Sequence, residues 1–289
     1  MGSAVRRRLY KTYTKAILKS PLPAGPFPHL KCDGHYGAEL CEVGGGARPL
    51  RMVLLGDSLA LSVGCSAPGA TVGATLAESV VRECRRPVRL EVHARLGTDS
   101  RTLHAQVTTV LRGDPGLALI SVGGNDALAP GGLRACARRL ARQIARLRAG
   151  GWQTGVGTCP QLGGLPALRP FVRGWAGRRG HRLARLQTVA ALRAGAHTVN
   201  LLDPRFLDPA PELMHDDGFH PSGHGYALYL RRLAPVVHAL VRQEPAADTK
   251  GACLPLQQAV PAALRVPGAV CVPAGPGMTW IQVPEAVAA

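Results

Sequence analysis

The chain predicts an α/β fold built on a parallel sheet of five strands joined by crossover helices, and three observations carry that expectation. From Arg51 onward, short apolar runs alternate with longer amphipathic segments, the order of repeated strand-helix-strand units. One run, Leu117-Ala118-Leu119-Ile120-Ser121-Val122, is almost wholly apolar, as a strand covered on both faces must be. Between the runs, apolar residues recur at helical spacing. Leu133, Ala137, Leu140, Ile144 and Leu147 form one stripe, with Arg134, Arg138, Arg142 and Arg146 elsewhere around the helix. Tyr226, Leu230, Leu233, Val237 and Leu240 form another.

The 289 residues are 46% hydrophobic and 18% charged, which suits one main globular domain. We expect it over residues 50–243, with a basic amphipathic segment and Pro/Gly-rich linker before it (1–49) and a Pro-rich extension after it (244–289). Lys and Arg number 35 against 18 Asp and Glu, a net charge of +17 that favours anionic partners. The arginines are spread along Ala/Leu-rich helices and not gathered in a tract, and no nucleic-acid partner is expected.

Taken in order, residues 5–19 place Leu9, Tyr13 and Ile17 at i, i+4 spacing among Arg6, Arg7, Lys11, Lys15 and Lys19. This is the pattern of a helix that lies on an anionic membrane surface, or of one that packs on the domain with a solvated basic face. No signal-peptide core is present, because lysines and threonines interrupt Leu9 to Leu18, and no run approaches the roughly 20 apolar residues of a membrane span. The expectation is a cytoplasmic protein, with residues 5–19 a candidate for peripheral membrane contact. Prolines and glycines from Pro21 to Arg48 read as linker.

Strands are expected at 51–55, 88–94, 117–122, 154–158 and 197–202, and helices near 73–85, 101–112, 132–149, 181–194 and 222–242. Residues 244–289 are not predicted to form a domain, although Met278–Val283 could add a strand. Cys65, Cys84, Cys136 and Cys159 fall in apolar contexts and read as small core residues. Cys32 with Cys41, and Cys253 with Cys271, could pair. No Cys/His spacing of a zinc site occurs.

The chemistry centres on Ser58, in Gly56-Asp57-Ser58-Leu59 directly after the first strand. A serine in a loop at the carboxyl end of a buried parallel strand is well placed to act as a nucleophile. A doubly wound order 2-1-3-4-5 would set the loops after the first three strands side by side. Those loops carry Ser58, Gly97 and Gly123-Gly124-Asn125-Asp126. A glycine N–H and an asparagine amide can form an oxyanion hole beside the serine. The last loop reads His215-Asp216-Asp217-Gly218-Phe219-His220-Pro221, where one turn can aim Asp217 at one nitrogen of His220 while the other faces Ser58. Metal binding by His215, Asp217, His220 and His224 is the rival reading.

These four blocks, Gly56-Asp57-Ser58-Leu59, Gly97, Gly123-Gly124-Asn125-Asp126 and Asp217-Gly218-Phe219-His220, resemble those of the SGNH (GDSL) hydrolases over roughly residues 50–242. Gly157-Thr158-Cys159-Pro160 and the run from His220 to Tyr226 resemble intracellular actinobacterial members of that family. The resemblance implies a three-layer, flavodoxin-like α/β/α fold, with Ser58 as nucleophile, His220 as base and Asp217 as its orienting partner. It also implies oxyanion donors from Ser58 N–H, Gly97 N–H and the Asn125 amide. The implied activity is cleavage of a carboxylic ester or thioester from a small-molecule or lipid substrate. An acyltransferase on the same triad and a membrane-peripheral binding protein are the alternatives. No cofactor is needed, since serine, imidazole and oxyanion hole complete an acyl transfer between them.

Overall fold

Alternate residues of each central strand face opposite layers, and this two-sided burial organises the computed structural model, which describes residues 16–20, 30–39, 48–242 and 251–284. The strands are β1 (Gly34–Tyr36), β2 (Leu50–Gly56), β3 (Val88–Val92), β4 (Leu117–Ser121), β5 (Gln153–Gly157), β6 (His197–Val199), β7 (Gly251–Pro255), β8 (Val270–Pro273) and β9 (Met278–Gln282). The helices are α1 (Val72–Cys84), α2 (Leu103–Val110), α3 (Gly124–Leu128), α4 (Leu133–Ala149), α5 (Pro170–Arg193), α6 (Gly223–Arg242) and α7 (Leu256–Ala263).

Met52 and Leu54 of β2 pack with Val72, Leu76 and Val80 of α1 and with Tyr226, Leu233 and Val237 of α6. Val53 and Leu55 point the other way, onto Leu103 and Val107 of α2 and Leu140, Ile144 and Leu147 of α4. The alternation follows from the two-residue period of a strand, and it fixes the register wherever both faces are covered. Strands β3-β2-β4-β5-β6 are parallel neighbours in that order, the expected 2-1-3-4-5 arrangement in a three-layer α/β/α fold.

Three regions differ from the sequence expectation. Within the expected linker, Gly34–Tyr36 forms β1 and pairs antiparallel with β3. Helix α5 begins at Pro170 and not near 181, because Gly177 and Gly180 do not interrupt it: they let the loop after β5 approach closely. A Cβ on Gly177 would lie 3.2 Å from Gly163 Cα, and one on Gly180 would lie 3.3 Å from Leu162. Pro170 suits the first turn of a helix, where its missing N–H costs nothing.

The chain after residue 250 adds three antiparallel strands to the open edge of β6, in the order β6-β8-β9-β7, so Met278–Gln282 is indeed a strand. An uncovered β6 edge would present unpaired backbone groups. Asn200 secures the join: its amide donates to Ala263 and Val266 carbonyls at 3.1 and 3.0 Å, where α7 ends. Cys253 on β7 lies opposite Trp280 of β9, and Cys271 on β8 lies opposite Ile281, so β9 stands between them. Two strand spacings, roughly 9–10 Å, exceed the reach of a disulfide, and both cysteines are free thiols. Cys32 is also free, and Cys41 lies outside the described residues. Cys65, Cys136 and Cys159 are buried as expected, whereas Cys84 is half-buried at the end of α1.

Of the basic segment 5–19, residues 5–15 lie outside the described residues. Ile17 and Leu18 are buried in the domain, where Lys19 N–H donates to Ala167 O and Arg169 N–H to Ile17 O. No helix among the described residues is long and apolar enough to cross a membrane.

Candidate active site

Strand β2 ends at Gly56, where φ is +149° and a Cβ would stand 2.1 Å from Ser121 O of the neighbouring strand. Only glycine lets the chain leave the sheet there. Asp57 Oδ1 then accepts the Leu59 N–H at 3.1 Å, an Asx turn that folds the loop around Ser58. Ser58 is half-buried, and its carbonyl accepts the Val63 N–H at 3.1 Å.

Pairing of β3 with β2 continues past the strands, since His93 N–H donates to Leu54 O and Arg95 N–H to Gly56 O. Past Arg95 the chain turns, and Gly97 lies in that turn. A turn closed from Thr98 N–H to Arg95 O puts Gly97 at its third position with φ +70°, which requires a residue tolerant of the left-handed region. Gly97 is exposed and does not line the cavity on which Ser58 opens.

The block after β4 forms the short helix α3. Asn125 Nδ2 donates to Thr98 O at 3.0 Å and, over a longer 3.3 Å, to Asp57 Oδ2. The first bond orients the amide. The second is the longer and weaker of the two. Asp126 does different work: both its oxygens are bonded by Ser100, from Oγ at 2.7 Å and N–H at 2.9 Å, which ties the Gly97 loop to the Asn125 block.

On the far side, Asp217 Oδ1 accepts the backbone N–H groups of Phe219 and His220, both at 2.9 Å, and Oδ2 accepts His220 Nδ1–H at 2.6 Å. Burial alone would raise the Asp217 carboxyl. The bonds from His220 and Phe219 outweigh it and draw the group down to about 2, so it stays ionised. His220 is 4% exposed, and its ring meets Phe219 edge-on at 5.1 Å. Asp57 behaves in the opposite way. Burial, reinforced by the nearby Asp126, pushes its carboxyl up to about 7 against the Leu59 and Asn125 bonds.

Ser58, Asn125 and His220 thus line one cavity of about 60 Å³ at the carboxyl ends of the parallel strands. Its other walls are largely apolar, with Leu162, Leu165, Leu201, Phe206, Met214 and Phe219 around the opening. Among the described residues no three His, Cys, Asp or Glu side chains are gathered as metal ligands.

Two glutamines that sequence reasoning missed brace these loops. Gln106 of α2 holds Gly56 at both its N–H (2.8 Å) and its carbonyl (2.9 Å), and also meets Thr98 Oγ1 at 2.9 Å. Gln187 of α5 accepts the Cys159 N–H at 2.7 Å and donates to Val122 O at 2.9 Å, joining the loops after β4 and β5. Each is a buried amide inside an otherwise apolar helix stripe, beside Leu103 and Val110 or Leu183 and Ala191. That misplaced polarity was the available signal.

Known proteins share this fold and much of this sequence pattern. The model of the GDSL-like Lipase/Acylhydrolase family matches residues 54–228. A GDSL-like esterase of Mycobacterium tuberculosis is 37% identical over 185 residues, a match spanning 62% of this chain and 59% of that protein. Among solved structures, TesA superposes with a TM-score of 0.56 at 19% identity, over 66% of this chain and 99% of its own. LAE5, an alpha/beta hydrolase enzyme from the metagenome of Lake Arreo, Spain, gives 0.52 at 19% identity, over 69% and 98%. At such identities the structures speak for the fold alone, but the family model covers more than half of the sequence: the chain belongs to the GDSL-like lipase/acylhydrolase family.

Proposed function

We propose that the protein is a serine ester hydrolase that cleaves a carboxylic ester or thioester through an acyl-Ser58 intermediate. The observation that carries this reading is the convergence of Ser58, Asn125 and the Asp217-held His220 on a single, mostly apolar cavity. Asp217 keeps a proton on Nδ1 of His220, so Nε2 is the basic nitrogen. As Ser58 Oγ attacks the carbonyl carbon, Nε2 takes its proton, and negative charge moves to the carbonyl oxygen. The Asn125 amide, with the Ser58 N–H, stabilises that charge. Collapse of the tetrahedral intermediate breaks the bond to the alcohol or thiol, which leaves with the proton from His220. Water then attacks the acyl-serine with His220 again as base, releasing the acid and restoring Ser58.

The apolar lining suits an acyl group of modest length. Hydrolysis of p-nitrophenyl esters of graded chain length, abolished in Ser58→Ala, tests the reading. Absence of turnover across the series would refute it. Transfer of the acyl group to an alcohol or amine uses the same groups, and adding such an acceptor to the same assay separates the two. Product partitioning to the acceptor in place of water would make the protein an acyltransferase.

A further inference from the structure

The cavity on which Ser58 opens carries an arginine on a wall that does not include Asp57 or His220. On α6, Leu228, Tyr229 and Arg232 face it at i, i+1 and i+4, and Asp203 faces it from the loop after β6. Arg232 Nε donates to Asp203 Oδ2 at 3.0 Å. The same carboxylate already receives Arg205 twice, from Nε at 3.1 Å on Oδ1 and from Nη2 at 2.9 Å on Oδ2. One buried carboxylate therefore answers two guanidiniums, and the wall carries a surplus positive charge.

Arg205 is the outer and better-paired of the two, with half of its side chain exposed. Arg232 is only 20% exposed, and among the described residues its Nη1 and Nη2 have no hydrogen-bond partner. Its side chain runs past Gly268 of the added C-terminal segment, where a Cβ would stand 3.0 Å from Arg232 Cδ. The chain after β7 thus leaves room for this conformation, and any side chain at Gly268 would crowd it. Asp203 meets the Arg232 guanidinium at Nε alone, and the two open nitrogens are shaped to receive a second carboxylate or a phosphate.

We propose that Arg232, held by Asp203, forms an anion subsite in the substrate cavity, so that the preferred substrate is an ester bearing a carboxylate or phosphate remote from the scissile carbonyl. This rests on the hydrolase reading for its reaction, though not for its binding. Arg232 sits nine residues after the first residue of α6, roughly 13 Å along the axis, so the anion binds at the end of the cavity away from the His220 loop.

The test compares matched pairs. One arm uses 4-methylumbelliferyl monoesters of adipic, suberic and sebacic acids against neutral acyl esters of equal length. The other uses acyl esters of glycerol 3-phosphate against those of glycerol, so the two arms tell a carboxylate on the acyl side from a phosphate on the alcohol side. In one arm kcat/KM of the native protein is expected to favour the anionic ester by roughly tenfold or more, the effect of a charge-assisted hydrogen bond. The ratio should collapse toward one in Arg232→Met and be partly restored in Arg232→Lys. Calorimetric titration of the same esters into Ser58→Ala protein reads the subsite without turnover. A wild-type ratio near one in both arms, with no tighter binding of the anionic esters, overturns the subsite, as does an unchanged ratio in Arg232→Met. Failure of all turnover together with selective anion binding would instead sink the hydrolase reading and leave the subsite standing.

Discussion

Replacing Asp217 with Asn changes one atom and separates the two jobs its carboxylate does. Oδ1 holds the loop by accepting the Phe219 and His220 backbone N–H groups, a role the Asn carbonyl oxygen keeps. Oδ2 accepts His220 Nδ1–H at 2.6 Å, and an amide NH2 in that place can only donate. His220 must then present Nδ1 as the acceptor and carry its proton on Nε2, where it cannot take one from Ser58. For a triad disrupted in this way the expected loss is about 10⁴ in kcat, or about 5.5 kcal/mol of transition-state stabilisation. Stability should suffer less. Lowering the folded carboxyl from 3.8 to about 2 corresponds to about 2 kcal/mol at neutral pH, an upper bound because the backbone bonds survive. The sign follows from linkage: a depressed carboxyl stabilises the fold above about pH 4 and loses that contribution as pH falls toward about 2. Asp217→Asn should therefore lose roughly half of its stability deficit as urea melts are moved from neutral pH to about pH 3. Steady-state hydrolysis of a fluorogenic ester, with circular dichroism to confirm the fold, gives the rate. A folded Asn variant within about tenfold of the native kcat would refute the assignment of Asp217 as the tautomer-holding partner.

Asn125→Ala should fold and hydrolyse esters roughly 10²–10³ more slowly, with the loss in kcat and not in KM, because the bond to the oxyanion strengthens only as charge develops. Asn125→Asp should be no better, since an ionised carboxylate repels the oxyanion, and native kcat in Asn125→Ala would remove this donor from the mechanism. Gln106→Leu deletes three hydrogen bonds at the base of the Ser58 and Gly97 loops, leaves the Gly56 N–H without this partner and the Gly56 carbonyl with the Arg95 N–H alone, and should lower the urea midpoint by the equivalent of about 1–3 kcal/mol. An unchanged midpoint would show that water or backbone replaces the brace. Asp57 is the reverse of Asp217: with its folded carboxyl raised to about 7, the folded state holds an extra proton between about pH 4 and 7, so this contribution to stability falls as pH rises through that window. The stability of Asp57→Asn relative to the native protein should therefore grow between about pH 5 and 8, and a difference that does not vary with pH would contradict the buried-carboxyl argument.

The central strands were legible because burial on both faces leaves a continuous apolar run, as at Leu117–Ser121, and the helix stripes because one face is core. The C-terminal strands were not. β7 to β9 are four or five residues each and pair antiparallel at an edge; β8 alone pairs with β6, over two residues, and β7 pairs with β9 across the intervening α7, to which nothing local points. Helix α5 was expected only from near 181, and Gly177 and Gly180 in its earlier turns serve close approach to the loop after β5. At the site, Ser58, Asn125, Asp217 and His220 stood out because each sits in a short block after an expected strand or before an expected helix. The wall formed by Asp203 and Arg232 could not be seen in that way. Its two residues are 29 positions apart and meet only when α6 packs beside β6.

The most direct test of the account is to react the protein with a fluorophosphonate and map the adduct by peptide mass spectrometry, since only an activated hydroxyl displaces fluoride from phosphorus. We predict one adduct, on the peptide containing Ser58, absent in Ser58→Ala and slowed in Asn125→Ala. An adduct on another serine, or ester hydrolysis that persists in Ser58→Ala, would contradict it.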